Sequence, residues 1–392
     1  MARNGGEGVA RAREATGQLV GEPAVAGDRP PAATACPVNS HNEWDPLEEI
    51  IVGRLEGATI PSHHVSVTFN VPRALARIHA FVGGLRYPRI LTTAAQRELD
   101  EFIHVLEAEG VTVRRPDVVD FAVPYRTPAW RSRGFAATCP RDGILVIGDQ
   151  IIETPMAWRS RYFETFAYRA LFQEYFAKGA RWVAAPKPQL LDALYDDDFR
   201  LPTDGEPVRY VINEIEPVFD AADFVRCGRD LFVTQSNVTN EAGITWLARH
   251  LGDGYRIHRI ESRCRQPMHI DSTFMPLAPG KVLVNPEYID VSRLPRALRS
   301  WDVLVAPDPD PAAESSWRAK VSMCSDWISM NVLMLDETRV VVERSQVSMI
   351  RKLTDWGFTP IPCAFLNFAP FGGAFHCATL DIRRRGTLQS YC

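Results

Sequence analysis

The stretch "AAQRELDEFIHVLEAEGVTVRRP", residues 94–116, holds the pattern on which the fold turns. Leu99, Phe102, Ile103 and Leu106 recur at helical spacing and make one apolar face. Gly110 ends that helix, since glycine enters the left-handed conformation of a helix stop at little cost. "VTV" then reads as a short strand running to Pro116.

The same order of amphipathic helix, turn and short strand returns along the chain. It appears in "RYFETFAYRALFQEYFAKGARWVAAP" (161–186), with Gly179 as the stop. It appears in "TNEAGITWLARHLGDGYRIHRI" (239–260), where Thr239 is the expected N-cap. "SRLPRALRSWDVLVAP" (292–307) is a shorter form without the glycine, and "SQVSMIRKLTDWGFTPIP" (345–362) stops at Gly357. Strand-like runs such as "EEIIVG", "GILVIG", "DLFVTQS", "KVLVNP" and "RVVVE" lie between the helices. Five units, each with strands and a helix, predict a repeat-built α/β fold. A doubly wound sheet also alternates strand and helix. However, no G-x-G-x-x-G follows a strand and no G-x-x-x-x-G-K-[ST] occurs, so nucleotide binding has no motif behind it.

Composition narrows the function classes. The 392 residues are 46% hydrophobic and 23% charged, ordinary for a soluble protein with a large core. A net charge of −4 argues against general nucleic-acid binding, which needs a basic surface. No apolar run approaches the roughly 20 residues that span a membrane. Residues 1–35 are rich in Ala, Gly, Arg and Pro and lack the apolar block of a signal peptide. They read as a disordered tail, which leaves 36–392 as one domain and the cytoplasm as the expected location. The eight cysteines form no C-x-x-C pair and no histidines have zinc-ligand spacing, so free thiols and no structural metal are expected.

Four segments could carry chemistry. In "PMHIDSTF" (267–274), read as a strand, His269 and Asp271 share a face and could present a base and an anion to a cation. The competing reading is a polar strand face. In "FHCATLDI" (375–382), again read as a strand, Cys377 is either a nucleophile or a buried thiol. His376 would then point to the other face, out of reach of its neighbour. "EPVFDAADFVRCGRD" (216–230) places Asp220 and Asp223 in an apolar run, where carboxylates need partners or cap a turn. In "CPRDGIL" (139–145) Asp142 precedes a strand and could equally be an Asp-Gly turn residue. The arginines at 383–385 are too few for a nucleic-acid patch and are expected on local carboxylates or at the surface. The aromatic run 158–176 reads as a core helix.

Taken together, "NEWDPLEEIIVG", "IIETPMAWRSRYFE", "FDAADF", "MHIDSTF", "MNVLMLDE" and "GGAFHCATLDIRRRGTLQSY" resemble the arginine amidinotransferases, from about residue 36 to the end. These are the glycine amidinotransferases and their bacterial antibiotic- and toxin-pathway relatives. The resemblance implies the five-bladed, pseudosymmetric α/β propeller of the guanidine-modifying superfamily. It implies ping-pong transfer of the amidino group from L-arginine to a primary amine through an amidino-cysteine, with no cofactor or metal.

Carried over motif by motif, it makes Cys377 the nucleophile, His269 the general acid/base and Asp220 the residue orienting that histidine. Asp142 and Asp271 would hold the donor guanidinium, and Ser325 would join the substrate-binding residues. A cationic His269 would lower the Cys377 pKa. Tyr288 stands where glycine-specific members place an arginine, and Cys324-Ser325 where they have a serine pair. Met268 is kept, whereas inosamine-specific relatives have a small polar residue, and the loop 307–320 differs. The expected partners are small molecules, with a homodimer as the candidate assembly. The competitors are a deiminase-like hydrolase using the same cysteine and a non-catalytic metabolite-binding protein.

Overall fold

The computed structural model describes residues 36–71, 75–203, 205–311 and 324–392, the side chain at position 326 excepted. The stretch 1–35 and residues 312–323, which include 312–320 of the 307–320 loop, lie outside the described residues. Residues Cys36–Cys392 form one unit.

Strand β1 (Leu47–Val52) runs parallel to β2 (Thr112–Arg114), and a small hairpin of β3 (Tyr125–Arg126) and β4 (Arg131–Ser132) follows. The next sheet joins β5 (Ile144–Ile147), β6 (Gln150–Glu153) and β7 (Arg181–Ala184). A third joins β8 (Phe224–Cys227), β9 (Asp230–Val233) and β10 (Arg256–Arg259). A fourth is built from β11 (Phe274–Ala278), β12 (Lys281–Val284) and β13 (Asp302–Val305). The fifth has β14 (Leu333–Met334), β15 (Arg339–Glu343) and β16 (Thr359–Cys363). Finally β17 (Thr379–Arg384) returns to pair antiparallel with β1, so the first sheet needs the end of the chain.

Each of these five sheets therefore has one antiparallel pair and one parallel pair. A parallel pair needs a crossover, which is why each unit carries a helical segment between its two parallel strands. The crossovers are the helices Arg89–Ala108, Arg169–Ala177, Glu241–Leu251 and Val347–Asp355, and in the fourth unit two short 3-10 turns. The helix Arg89–Ala108 buries Ala95, Leu99, Phe102 and Leu106, as its spacing predicts. Each such side chain contributes roughly 1.5–3 kcal/mol relative to exposure. Gly110, Gly179 and Gly357 all have positive φ at the helix stops.

Two local expectations need correction. The N-cap of Glu241–Leu251 is Asn240, whose Oδ1 accepts from the Gly243 N–H at 2.8 Å, whereas the Thr239 hydroxyl accepts from the Asp220 N–H. The aromatic run is two 3-10 turns followed by the helix Arg169–Ala177, not one core helix. Trp158, Phe172 and Tyr175 are buried, but Phe166 and Phe176 are 52% and 61% exposed. Phe166 instead lies under the Arg169 guanidinium.

Candidate active site

The repeat does more than shape the fold, because it places one short turn ahead of the strand that pairs antiparallel in every one of the five sheets. Asp142 lies two residues before β5, Asn331 two before β14 and Cys377 two before β17. Asp220 lies four residues before β8 and Asp271 three before β11. The turns of the second, third, fourth and fifth units touch in sequence order. The turns ahead of five strands thus carry Asp142, Asp220, Asp271, Asn331 and Cys377. All five side chains are buried.

Around the sulfur, Cys377 Sγ lies 3.2 Å from Asp271 Oδ2 and 3.2 Å from Asn331 Nδ2. His269 Nε2 is 3.1 Å from Asp220 Oδ2, and its Nδ1 is 3.7 Å from Asp142 Oδ1. Behind Asp142, Arg161 gives one hydrogen bond of 2.7 Å to Oδ2 and grips Glu164 with two others. Asp142 Oδ1 is buried and accepts no hydrogen bond. A cleft of about 90 Å³ opens onto Asp142, His269, Asp271 and Cys377, with Met268 and Ser325 on its wall. Asp220 lies behind His269 and does not line it.

The electrostatics follow from burial and neighbours. Burial drives the His269 pKa down, but Asp142, Asp220 and Asp223 outweigh it and hold it at about 10. The ring is an imidazolium at neutral pH, with a proton to give. Burial, then Asp271 and Asp142, push the Cys377 thiol well above its ordinary value. This corrects the expectation that His269 lowers it: the carboxylates lie as close as the cation, and desolvation adds to them. Asp271 is itself held low, since His376 overcomes its burial.

Neither catalytic segment is a strand at the residues that matter. Ile270–Ser272 is a 3-10 turn, and His269 ahead of it has φ 61°, a conformation that costs a non-glycine residue of order 1–3 kcal/mol. That backbone, not a shared strand face, brings His269 and Asp271 to one cleft. Cys377 lies in the turn before β17, which Gly372 enters at φ 111°. His376 consequently does not face away from the site. Its Nδ1 is 2.9 Å from Asp271 Oδ2 and its Nε2 3.3 Å from Glu43 Oε2.

Beyond Glu43 runs a buried charge ladder. Arg226 spans Glu43 and Asp381 at 2.7 Å each, and Arg141 and Arg384 also bind Asp381. Arg383 and Arg385, by contrast, bind Glu48 near the surface, as expected of a local carboxylate. The ladder ties the first, second and third sheets together and fixes His376 against Asp271. Arg161, Asn331, Glu43 and His376 in its supporting role escaped the sequence reading. For the three charged or titratable ones the available signal was that such residues inside apolar runs must find partners.

Ser325 uses its hydroxyl to accept from the Trp327 N–H and is exposed at the cleft wall. Asp142, His269 and Cys377 bring an oxygen, a nitrogen and the sulfur within 4.8 Å of one another, the one group among the described residues that could hold a metal ion. A metal there would have to displace the protons of both His269 and Cys377.

Among the described residues no helix is long and apolar enough to cross a membrane. No family model matches the chain. Individual proteins do. The L-arginine:L-lysine amidinotransferase of Pseudomonas savastanoi pv. phaseolicola is 50% identical over 91% of this chain and 96% of its own length. Among solved structures, SxtG, an amidinotransferase of the saxitoxin biosynthetic pathway from Microseira wollei, is 57% identical with a TM-score of 0.87, covering 91% of this chain and 100% of that one. Inosamine-phosphate amidinotransferase StrB1 of Streptomyces griseus is 40% identical with a TM-score of 0.80, over 90% of this chain and 99% of that one. Likeness of that extent shows that the chain belongs to the amidinotransferases, a family of transferase enzymes.

Proposed function

We propose that the protein moves the amidino group of L-arginine to a primary amine in specialised metabolism, with Cys377 as the nucleophile, in one catalytic domain formed by residues 36–392. The observation that carries this is that Asp142 and Asp271 line one cleft with the Cys377 sulfur, Asp142 Oδ1 accepting no hydrogen bond there. Two buried carboxylates beside a thiol suit a planar cation whose carbon is to be attacked. The names of the relatives, which cover lysine as acceptor and the saxitoxin pathway, support the same reading.

The resting thiol is not the nucleophile. Burial and the charges of Asp271 and Asp142 raise Cys377; guanidinium binding offsets those charges, and the thiol proton leaves to solvent as thiolate forms in the complex. Sulfur then bonds to the guanidinium carbon Cζ, the Cζ–Nε bond breaks, and Nε takes the His269 proton. Ornithine leaves. The acceptor amine next attacks the amidino carbon, the carbon–sulfur bond breaks, and His269 recovers a proton from the amine. Asp220 keeps the imidazole in place throughout, and Ser325 contacts substrate at the cleft wall.

We further read the five sheets as blades of a pseudo-fivefold propeller, with the site on its axis. Eight free cysteines favour a reducing, cytoplasmic setting, and a homodimer is the proposed assembly. The test is ornithine release from arginine as a function of added amine, with exchange of labelled ornithine into arginine. Amine-dependent release with exchange supports transfer, whereas citrulline formed from arginine alone would make the enzyme a hydrolase.

A further inference from the structure

We propose that Asn331 is a catalytic residue, the hydrogen-bond donor that stabilises the Cys377 sulfur as thiolate in both half-reactions; this rests on Cys377 being the nucleophile. Asn331 is 1% exposed and lies in the fifth unit at the position that Asp142 and Cys377 occupy in theirs. The unit would otherwise contribute nothing at that position.

Its two side-chain atoms do different things. Oδ1 accepts from the backbone N–H groups of Ala374, His376 and Cys377 at 3.2, 3.0 and 3.2 Å. That fixes which end of the amide is which, because an NH₂ group could not accept those bonds. Nδ2 is thereby aimed at Cys377 Sγ, 3.2 Å away. The other polar neighbour of the sulfur is Asp271 Oδ2, which can only accept. Burial and the carboxylates oppose ionisation of this thiol, and among the described residues Asn331 is the donor that lies within hydrogen-bond distance of the sulfur.

The chemistry gives the donor a use twice. In the first half-reaction sulfur must carry negative charge before it bonds to carbon. In the second it takes the bonding electrons back as the amine enters. An N–H held on sulfur favours the charged form in each case, and unlike His269 it exchanges no proton.

The experiment uses the full chain and reads alkylation of Cys377 by iodoacetamide against pH, scored by peptide mass so that the other thiols do not interfere. Asn331→Asp keeps an acceptor for the three backbone N–H groups while removing the donor; Asn331→Ala removes both. We expect the alkylation midpoint to rise by about one to two pH units in each variant that folds, more in Asn331→Asp because of its charge. Labelled ornithine exchange at neutral pH should fall about 10- to 100-fold. A merely structural role would lower the melting temperature of Asn331→Ala and leave its midpoint, which no added charge disturbs, unmoved, and that result overturns the proposal. The unmutated protein separates the two readings: if arginine leaves no adduct on Cys377 there, the nucleophile assignment has failed, whatever Asn331 does.

Discussion

Replacing Asp142 with asparagine probes the donor site at its most distinctive atom. Oδ1 is buried and accepts no hydrogen bond, with His269 Nδ1 3.7 Å away, so it has room to accept one from a guanidinium. A hydrogen bond to a charged group is worth about 1.5–3 kcal/mol, and the substitution should lower kcat/KM for arginine about 10- to 150-fold. Folding should survive, because Arg161 keeps its two-pronged hold on Glu164. Two further effects have opposite signs. Asp142 is the largest influence raising His269, so that pKa should fall from about 10, as read by NMR of the imidazole. Asp142 also helps to raise Cys377, so the thiol should alkylate faster at a given pH although turnover drops. If kcat/KM stayed within about threefold of the parent and His269 did not move, Asp142 would not be a guanidinium ligand.

Other perturbations test neighbouring links. His376→Phe removes the contact that holds Asp271 low, so the acid limb of the activity profile should move to higher pH; an unshifted limb would leave His376 as packing. Gly373→Ala would place a Cβ 2.3 Å from the Cys377 Cβ and 2.7 Å from its sulfur, in a buried turn with nowhere to shift. Exchange should be abolished in it while the protein still folds, and normal activity would show the turn to be loose. Stability should also follow His269. Its folded pKa of about 10 exceeds the ordinary 6.5, so its contribution is complete below about pH 6.5 and is lost as pH rises toward 10. Urea unfolding across that window should show a steeper loss for the parent than for His269→Gln, and parallel curves would contradict the shift.

The repeat was legible because each crossover helix carries its own apolar face and glycine stop, as in Leu99, Phe102, Leu106 and Gly110. What periodicity could not show is that the residues just ahead of each sheet converge. Local pattern made "PMHIDSTF" and "FHCATLDI" look like strands throughout, since both run on into real ones. The 3-10 turn at Ile270–Ser272 and the positive φ of His269 depend on tertiary partners that no local propensity records. His376 was set aside on strand geometry, and the turn before β17 restores it to the site through Asp271. Asn331 has no charge and no special spacing, and only its place in the repeat marks it out. The Cys377 pKa went the other way from expectation because depth of burial cannot be read from neighbours in sequence.

The account stands most directly on a covalent bond to one sulfur. The protein incubated with L-arginine and no acceptor, quenched in acid and weighed intact, should carry one amidino group, located on Cys377 by peptide mapping. Cys377→Ser should carry none, and adding an acceptor amine before the quench should discharge the adduct. Ornithine formed with acceptor while Cys377 stays unmodified in its absence would contradict the covalent route on which the rest of the reasoning depends.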